Sequence, residues 1–274
     1  TLSTSAATVA WGTTLTYTAT VSSAGATGSF SFSDGTTPLG TCSITTGTSC
    51  TLVTNALDAG THTITAAYSG DGNRNPSTSA NLTQTVTRAT TTTAIVSSAP
   101  STTYGKNVVL TVTVSPSSAT GLVAFSDGTA FLGLCPLAGG TCAISTSALA
   151  VGTHQLSAKY QGDTNRAASA SGSYAQVIAK SPVTLSFAAS ATSTVYGSPV
   201  TLTIGAVSDG GGTPTGTISI TDGAAVVGTC SLSSGGCTVT LSSLGAGDHL
   251  LGATYGGDTN RATAAADPVV LSVG

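Results

Sequence analysis

The stretch YSGDGNR at residues 68–74 recurs as YQGDTNR at 160–166 and as YGGDTNR at 255–261. Tyr160 follows Tyr68 by 92 positions and Tyr255 follows Tyr160 by 95. That period is too long for a solenoid repeat of about 20–50 residues and matches a small sandwich domain able to bury its own core. Alignment on the tyrosines divides the 274-residue chain into modules at residues 1–88, 89–180 and 181–274.

Composition decides the class of these modules. Hydrophobic residues make up 40% of the chain and aromatics 5%, with no Met and one Trp, so the cores must be built from Val, Leu, Ile and Ala. The rest is largely Thr, Ser and Gly, and Glu is absent. β-Branched residues with glycine suit short strands and tight turns, which predicts an all-β fold. A net charge of −3 with dispersed Lys and Arg leaves no basic footprint for nucleic acid. No apolar run reaches the ~18–20 residues that span a bilayer, so no membrane insertion is expected. The chain opens without Met and without a basic-then-apolar signal, which reads as a mature product or an excised piece.

Working outward from the repeated stretch, each module shows seven short strands. The second alternates with period two: Leu15, Tyr17, Ala19 and Val21, then Val108, Leu110, Val112 and Val114, then Val200, Leu202, Ile204 and Ala206. The next places Phe30 and Phe32 before Asp34-Gly35, Val123 and Phe125 before Asp127-Gly128, and Ile218 and Ile220 before Asp222-Gly223. Asp-Gly between alternating runs is a hairpin signal, so these aspartates read as turn-makers. A later strand carries Ile64, Ala66 and Tyr68, with Leu156, Ala158, Tyr160 and Leu251, Ala253, Tyr255 as counterparts. The last carries Leu82 and Val86, matched by Val177 or Ile178 and by Val269 or Leu271. Seven antiparallel strands with regular turn signals describe three tandem immunoglobulin-like β-sandwiches.

The cysteines fall as Cys42/Cys50, Cys135/Cys142 and Cys230/Cys237, one close pair per repeat. Pairing within each repeat follows from that placement. Turn residues between and strand-like residues outside predict facing strands of a hairpin, with the disulfide across it. Closing so short a loop stabilises by roughly 2–3 kcal/mol on the chain-entropy estimate. Zinc would need two further ligands, and the repeated His62, His154 and His249 lie on another strand. Persistent disulfides imply an oxidising, extracellular compartment.

The string GTHTITAAYSGDGNRNPSTS (60–79), an upstream Tyr-Gly (Tyr104-Gly105, Tyr196-Gly197, with Trp11-Gly12 in the first copy) and FSDG…LG together resemble the bacterial Ig-like repeat domains of large secreted and surface proteins. The resemblance covers the whole chain three times and implies tandem modules acting as stalks, spacers or adhesive fibres. The cysteine pair, which many copies in that family lack, is a departure that implies added robustness. Linkers are short, TRATTTT at 87–93 and AKSPVT at 179–184, which predicts a semi-rigid rod.

Asp71 and Asn73 have the spacing that opens a calcium loop, but the later ligands are missing and Arg74 would oppose a cation. The structural alternative is that Asp71, Asp163 and Asp258 cap a turn and that Arg74, Arg166 and Arg261 fold back as their partners. His, Asp and Ser occur in every repeat, yet no nucleophile elbow or phosphate loop accompanies them, so no catalytic residue, metal or cofactor is assigned. The three histidines read as half-exposed residues at strand starts. Tyr68, Tyr160 and Tyr255 are in phase with core positions and read as buried rings rather than sugar-stacking platforms. Trp11 replaces Tyr104 and Tyr196 and reads as packing, or as an intermodule contact.

Thr1 aligns with Ala94, so the first strand of the first module is shorter than its counterparts; either strand addition from a neighbouring subunit, head to tail, completes it, or the chain is cut from a longer array. The loops are alike in all copies except for an expansion, GGGTPTG, from Gly210. The expectation is a non-enzymatic extracellular structural protein on a bacterial surface, a stalk, fibre or filament subunit whose partners are neighbouring Ig-like modules or identical subunits. The competing expectation is an adhesin whose loops bind a glycan or a protein.

Overall fold

The computed structural model describes residues 1–45 and 47–274, and those residues form strands and turns with no helix. The first module comprises β1 (Leu2–Thr4), β2 (Thr8–Ala10), β3 (Leu15–Thr20), β4 (Gly28–Asp34), β5 (Thr37–Ile44), β6 (Ser49–Thr54), β7 (Gly60–Tyr68), β8 (Ser77–Thr78) and β9 (Leu82–Thr87). Strands β10–β18, between Thr92 and Ala179, and β19–β27, between Val183 and Val273, repeat the plan. A three-stranded sheet ordered β1-β3-β6 faces a larger one ordered β2-β9-β7-β4-β5, with β8 paired to β7.

Nine strand segments replace the seven expected, because the first strand is split between the sheets and the two-residue β8 is added beside β7. Its first half, β1, pairs antiparallel with β3; its second half, β2, runs parallel to β9. Such a crossing leaves backbone groups inside the sandwich that need partners. In the first module Gln84, fully buried, donates from Nε2 to Ala7 O at 3.1 Å and accepts from Thr4 Oγ1 at 2.9 Å. In the second, Ser97 and Gln176 repeat the pair at 2.6 Å. In the third, both partners become apolar, Ala189 and Leu271, and pack in the core. Polar pair and apolar pair alternate as units, as expected when an unpaired buried amide is costly.

Alternation places Leu15, Tyr17 and Ala19 of β3 against Phe30 and Phe32 of β4 and Ile64, Ala66 and Tyr68 of β7. The other two cores use the aligned residues. In the last strands Val86, Ile178 and Val273 face inward, as does Leu271, whereas Val177 is exposed.

The disulfides Cys42–Cys50, Cys135–Cys142 and Cys230–Cys237 are present, with Cα–Cα distances of 5.9, 6.0 and 6.0 Å. They do not lie across a hairpin ladder. Cys42 sits on β5, the edge of the large sheet opposite Phe30, and Cys50 on β6, the edge of the small sheet opposite Ala19. The turn between them carries the chain from one sheet to the other, so each bond staples two sheet edges together.

Tyr17 is a further departure from an apolar core. Its counterparts are Leu110 and Leu202, yet its ring is fully buried and its hydroxyl has no partner among the described residues. Burial, with the charge of Asp34 adding to it, pushes that hydroxyl up to a pKa of about 12. Removing an unpaired buried hydroxyl relieves a desolvation cost, so Tyr17→Phe is expected to stabilise the first module by about 1 kcal/mol. Chemical denaturation that shows a lower midpoint for Tyr17→Phe would contradict this assignment.

Candidate functional site: the aspartate corners and the module joints

The stretch after β7 turns back on itself through Gly70, whose φ is +76° and whose missing Cβ would stand 2.7 Å from the Arg74 carbonyl oxygen. Only glycine fits there. Asp71 and Arg74 close the turn by backbone bonds in both directions, Asp71 N to Arg74 O at 3.0 Å and Arg74 N to Asp71 O at 3.3 Å.

The Asp71 carboxylate gathers the surrounding donors. Asn73 N reaches Oδ1 at 2.9 Å; Thr27 N, Arg74 Nη1 and the Tyr68 hydroxyl reach Oδ2 at 3.0, 2.9 and 3.1 Å. The Tyr68 hydroxyl also lies within bonding distance of Thr27 O. Thr27 belongs to the loop before β4, so one carboxylate ties two loops and a core tyrosine together. Asp163 repeats this with Thr120, Asn165, Tyr160 and Arg166, and Asp258 with Thr215, Asn260 and Arg261. Backbone N–H groups of Thr27 and Asn73, reinforced by Arg74, hold the Asp71 carboxyl well below the usual carboxylate range. Burial works against ionisation of Asp163 and Asp258, but the N–H donors outweigh it and both are likewise held low. These oxygens are occupied by N–H, O–H and guanidinium donors, a lining that suits an anion and opposes a cation.

The histidines form a second repeated constellation, in which the Asp-Gly aspartates do more than make turns. His62, the third residue of β7, places Nδ1 2.7 Å from Asp34 Oδ2 and Nε2 2.8 Å from Asp58 O. His154 lies between Asp127 and Ala150 O, and His249 between Asp222 and Gly245 O, at 2.6–2.9 Å. Both partners of each ring are acceptors, so both nitrogens must donate and the geometry suits imidazolium. Burial disfavours the charge on His62 and His154, but the acceptors outweigh it, and all three pKa values are raised; for His249 the Gly245 carbonyl is the main cause. The joint recurrence of Asp-Gly and of Gly-x-His in every module was the sequence signal for this pairing.

Two of the corners also join modules. At the first joint Ala89 forms a parallel bridge with Arg166: Ala89 N donates to Asn165 O and Ala167 N to Ala89 O, both at 2.9 Å. Arg88 Nε donates to Thr164 O at 3.2 Å. Asn165 accepts from Ala59 N at 2.7 Å and donates to Asp58 Oδ1 at 2.9 Å, and the Arg166 guanidinium stacks 4.7 Å above the Trp11 ring. The second joint keeps the ladder, with Ser181 N to Asn260 O and Ala262 N to Ser181 O at 2.9 Å, and Lys180 Nζ to Asp258 O at 2.6 Å. Its remaining contacts come from the expanded loop: Gly210 N donates to Ser181 Oγ at 2.6 Å, and Asp209 pairs with Lys106 at 3.0 Å. Arg166 and Arg261 are each only 7% exposed. Sequence reading expected a turn at the corner and offered Trp11 as an intermodule contact, but gave no sign that the corner itself takes part in the joint, because the residues it meets lie in another module.

Each module is thus an antiparallel two-sheet sandwich with a parallel first-to-last strand contact, and the chain is a tandem immunoglobulin-like repeat protein. It belongs to the bacterial Ig-like domain family (group 3), whose model matches residues 2–87, 95–179 and 187–274. No curated protein matches the chain. Among solved structures it is similar to the I9–I11 tandem of titin, at 9% identity over 100% of this chain and 99% of that one, with a TM-score of 0.32. The Escherichia coli adhesin FdeC aligns at 13% identity over 100% and 96%, TM-score 0.31. Three N-terminal domains of the bacteriophage RB49 outer capsid protein Hoc align at 13% over 99% and 97%, TM-score 0.29. Superpositions this loose carry no argument about function.

The corner carboxylates contribute stability that is complete above their unfolded pKa of about 4 and is lost as pH falls through their lowered folded values. The histidines contribute stability that is complete below about 6.5 and is lost as pH rises through their raised folded values. The thermal midpoint should therefore be highest between these limits, and calorimetry showing a midpoint that climbs steadily above pH 7 would refute the histidine reading. A second test addresses the joint. A Cβ at position 210 would lie 1.7 Å from the Tyr104 carbonyl oxygen, so Gly210→Val should prise open the second joint while the sandwiches stay folded. Small-angle scattering would register a changed or broadened distance distribution at an unchanged melting profile.

Proposed function

We propose that this chain is a non-enzymatic extracellular spacer, a disulfide-stapled rod of Ig-like modules serving as stalk, fibre or filament subunit on a bacterial surface. The observation that carries the reading is the ladder at both joints, which replaces a flexible linker by hydrogen-bonded strand. In the second module the two joints lie at opposite ends of β16 (Gly152–Tyr160), since Tyr104 and Lys106 meet the third module near its start and Asp163–Arg166 meet the first beyond its end. Modules therefore follow one another end to end. Three disulfides and membership of the bacterial Ig-like family support an extracellular or surface setting.

Strand addition is the finer form of this reading. It is supported by a groove of about 200 Å³ lined by Thr20, Val21, Ser22, Ser77 and Thr78, beside the end of β3. A binding role has one observation in its favour: Phe131 and Leu134 are exposed on edge strand β14 (Ala130–Pro136) of the second module. Strands rising ~3.3 Å per residue make each module roughly 35–40 Å long and the chain on the order of 100 Å. Negative-stain microscopy of the purified chain should show straight particles of that length; flexibly jointed beads would sink the spacer reading. A selective signal on a glycan array, lost in Phe131→Ser, would favour the adhesin instead.

A further inference from the structure

The Asp58–Ala59 peptide group is held from both sides at the first joint. Its carbonyl oxygen lies 2.8 Å from His62 Nε2, while Nδ1 of the same ring lies 2.7 Å from the Asp34 carboxylate. Its N–H, that of Ala59, donates to Asn165 Oδ1 of the second module at 2.7 Å. Asn165 Nδ2 donates back to the Asp58 carboxylate at 2.9 Å, which completes a clasp on one side chain. A hydrogen-bonded relay therefore runs from a histidine inside one module, through one peptide group, to an amide in the next, and bonds in such a chain polarise one another. In the second module His154 holds the Ala150 carbonyl at 2.8 Å in the same way. Among the described residues, however, neither the Val151 N–H nor the Asn260 side chain bonds across the second joint.

From this relay we infer that the first joint is a pH-gated hinge, clasped while His62 is imidazolium and loosened when its ring is neutral, and that the second joint is not gated. A neutral imidazole keeps one N–H. The proton stays on Nδ1, where the acceptor is a carboxylate and the bond is charge-assisted. Nε2 then turns a lone pair toward the Asp58 carbonyl oxygen, and the two acceptors repel. The peptide group tilts away, and both bonds to Asn165 come from the two residues that it joins. The Ala89 ladder and the Arg166–Trp11 stack remain, so the modules stay tethered while the clasp opens. The charged groups facing the ring are Asp34 at the end of β4 and Asp58 in the loop before β7. β9 sets Gln84 opposite the ring, and Tyr17 of β3, whose hydroxyl feels the Asp34 charge, keeps its proton throughout. With the His62 pKa raised, the clasp is complete below about pH 6.5 and is lost as pH rises through the folded value. The gate holds whether the chain serves as spacer or as adhesin.

The test is nuclear magnetic resonance of the intact ¹⁵N-labelled chain between about pH 5 and pH 9, a range that spans the titration of a histidine. The Ala59 amide and the Asn165 side-chain amide are expected to shift with the titration of the His62 ring. ¹⁵N relaxation should show the first and second modules tumbling together at the acid end and separately at the alkaline end, with the second and third coupled at both. Asn165→Ala keeps the backbone ladder and removes the clasp, so the first joint of this variant should be loose at every pH. Coupling between two sites is reciprocal, so the same variant should weaken proton binding at His62 about fivefold and lower the midpoint of its titration by ~0.7 pH unit. The His154 midpoint should not move. A first joint equally stiff at both ends of the range would overturn the inference, as would a His62 midpoint indifferent to Asn165→Ala. Unfolding of the first module at the alkaline end, in place of loosening at the joint, would overturn it too.

Discussion

A carboxylate buried beside a core tyrosine must be surrounded by donors or it will not stay charged, and the corner of each module is the arrangement that supplies them. Asp163 receives N–H groups from the loop before one strand and from its own turn, a hydroxyl from Tyr160 and a guanidinium from Arg166. Because the donors come from separate segments, the loops are held at fixed spacing. That spacing presents Asn165 and the Arg166 backbone to the preceding module. The intermodule ladder is thus a consequence of the turn chemistry within one module.

Stapling happens on two scales. Within a module the disulfide ties the edges of the two sheets, on the side where β5 and β6 would otherwise part, and the His–Asp pair ties the end of β4 to the start of β7. Between modules, the linker residue becomes a strand residue: Ala89 and Ser181 are hydrogen-bonded on both sides by the corner ahead of them. His62 connects the two scales, since its Nε2 holds the carbonyl of Asp58 while the Asp58 carboxylate holds Asn165 of the next module. Few charges are present, and those at the corners, the histidine pairs and the joints account for much of the chain's charge.

The joints share a backbone plan and differ in side chains. The first uses an aromatic ring and an asparagine; the second uses a glycine loop so close to Tyr104 O that no Cβ is tolerated at Gly210. Backbone bonding is indifferent to residue identity, which lets the plan persist while the contacts around it change. The same independence is seen inside the modules, where Thr4–Gln84 and Ser97–Gln176 give way to Ala189 and Leu271 without altering the strand crossing.

By itself the sequence determined three all-β modules, the alternating faces of their strands and the within-repeat cysteine pairs. These are legible because they rest on short-range rules: alternation with period two, Asp-Gly and glycine turns, and recurrence at a fixed spacing. Only the tertiary structure decided that the first strand divides between two sheets, that each disulfide joins sheet edges, that His62 faces Asp34, and that the corner and the GGG loop are joints. Each of those depends on which distant segments meet. Periodicity reports which face of a strand is buried, and it carries no information about which sheet the strand joins or which module lies beyond its end.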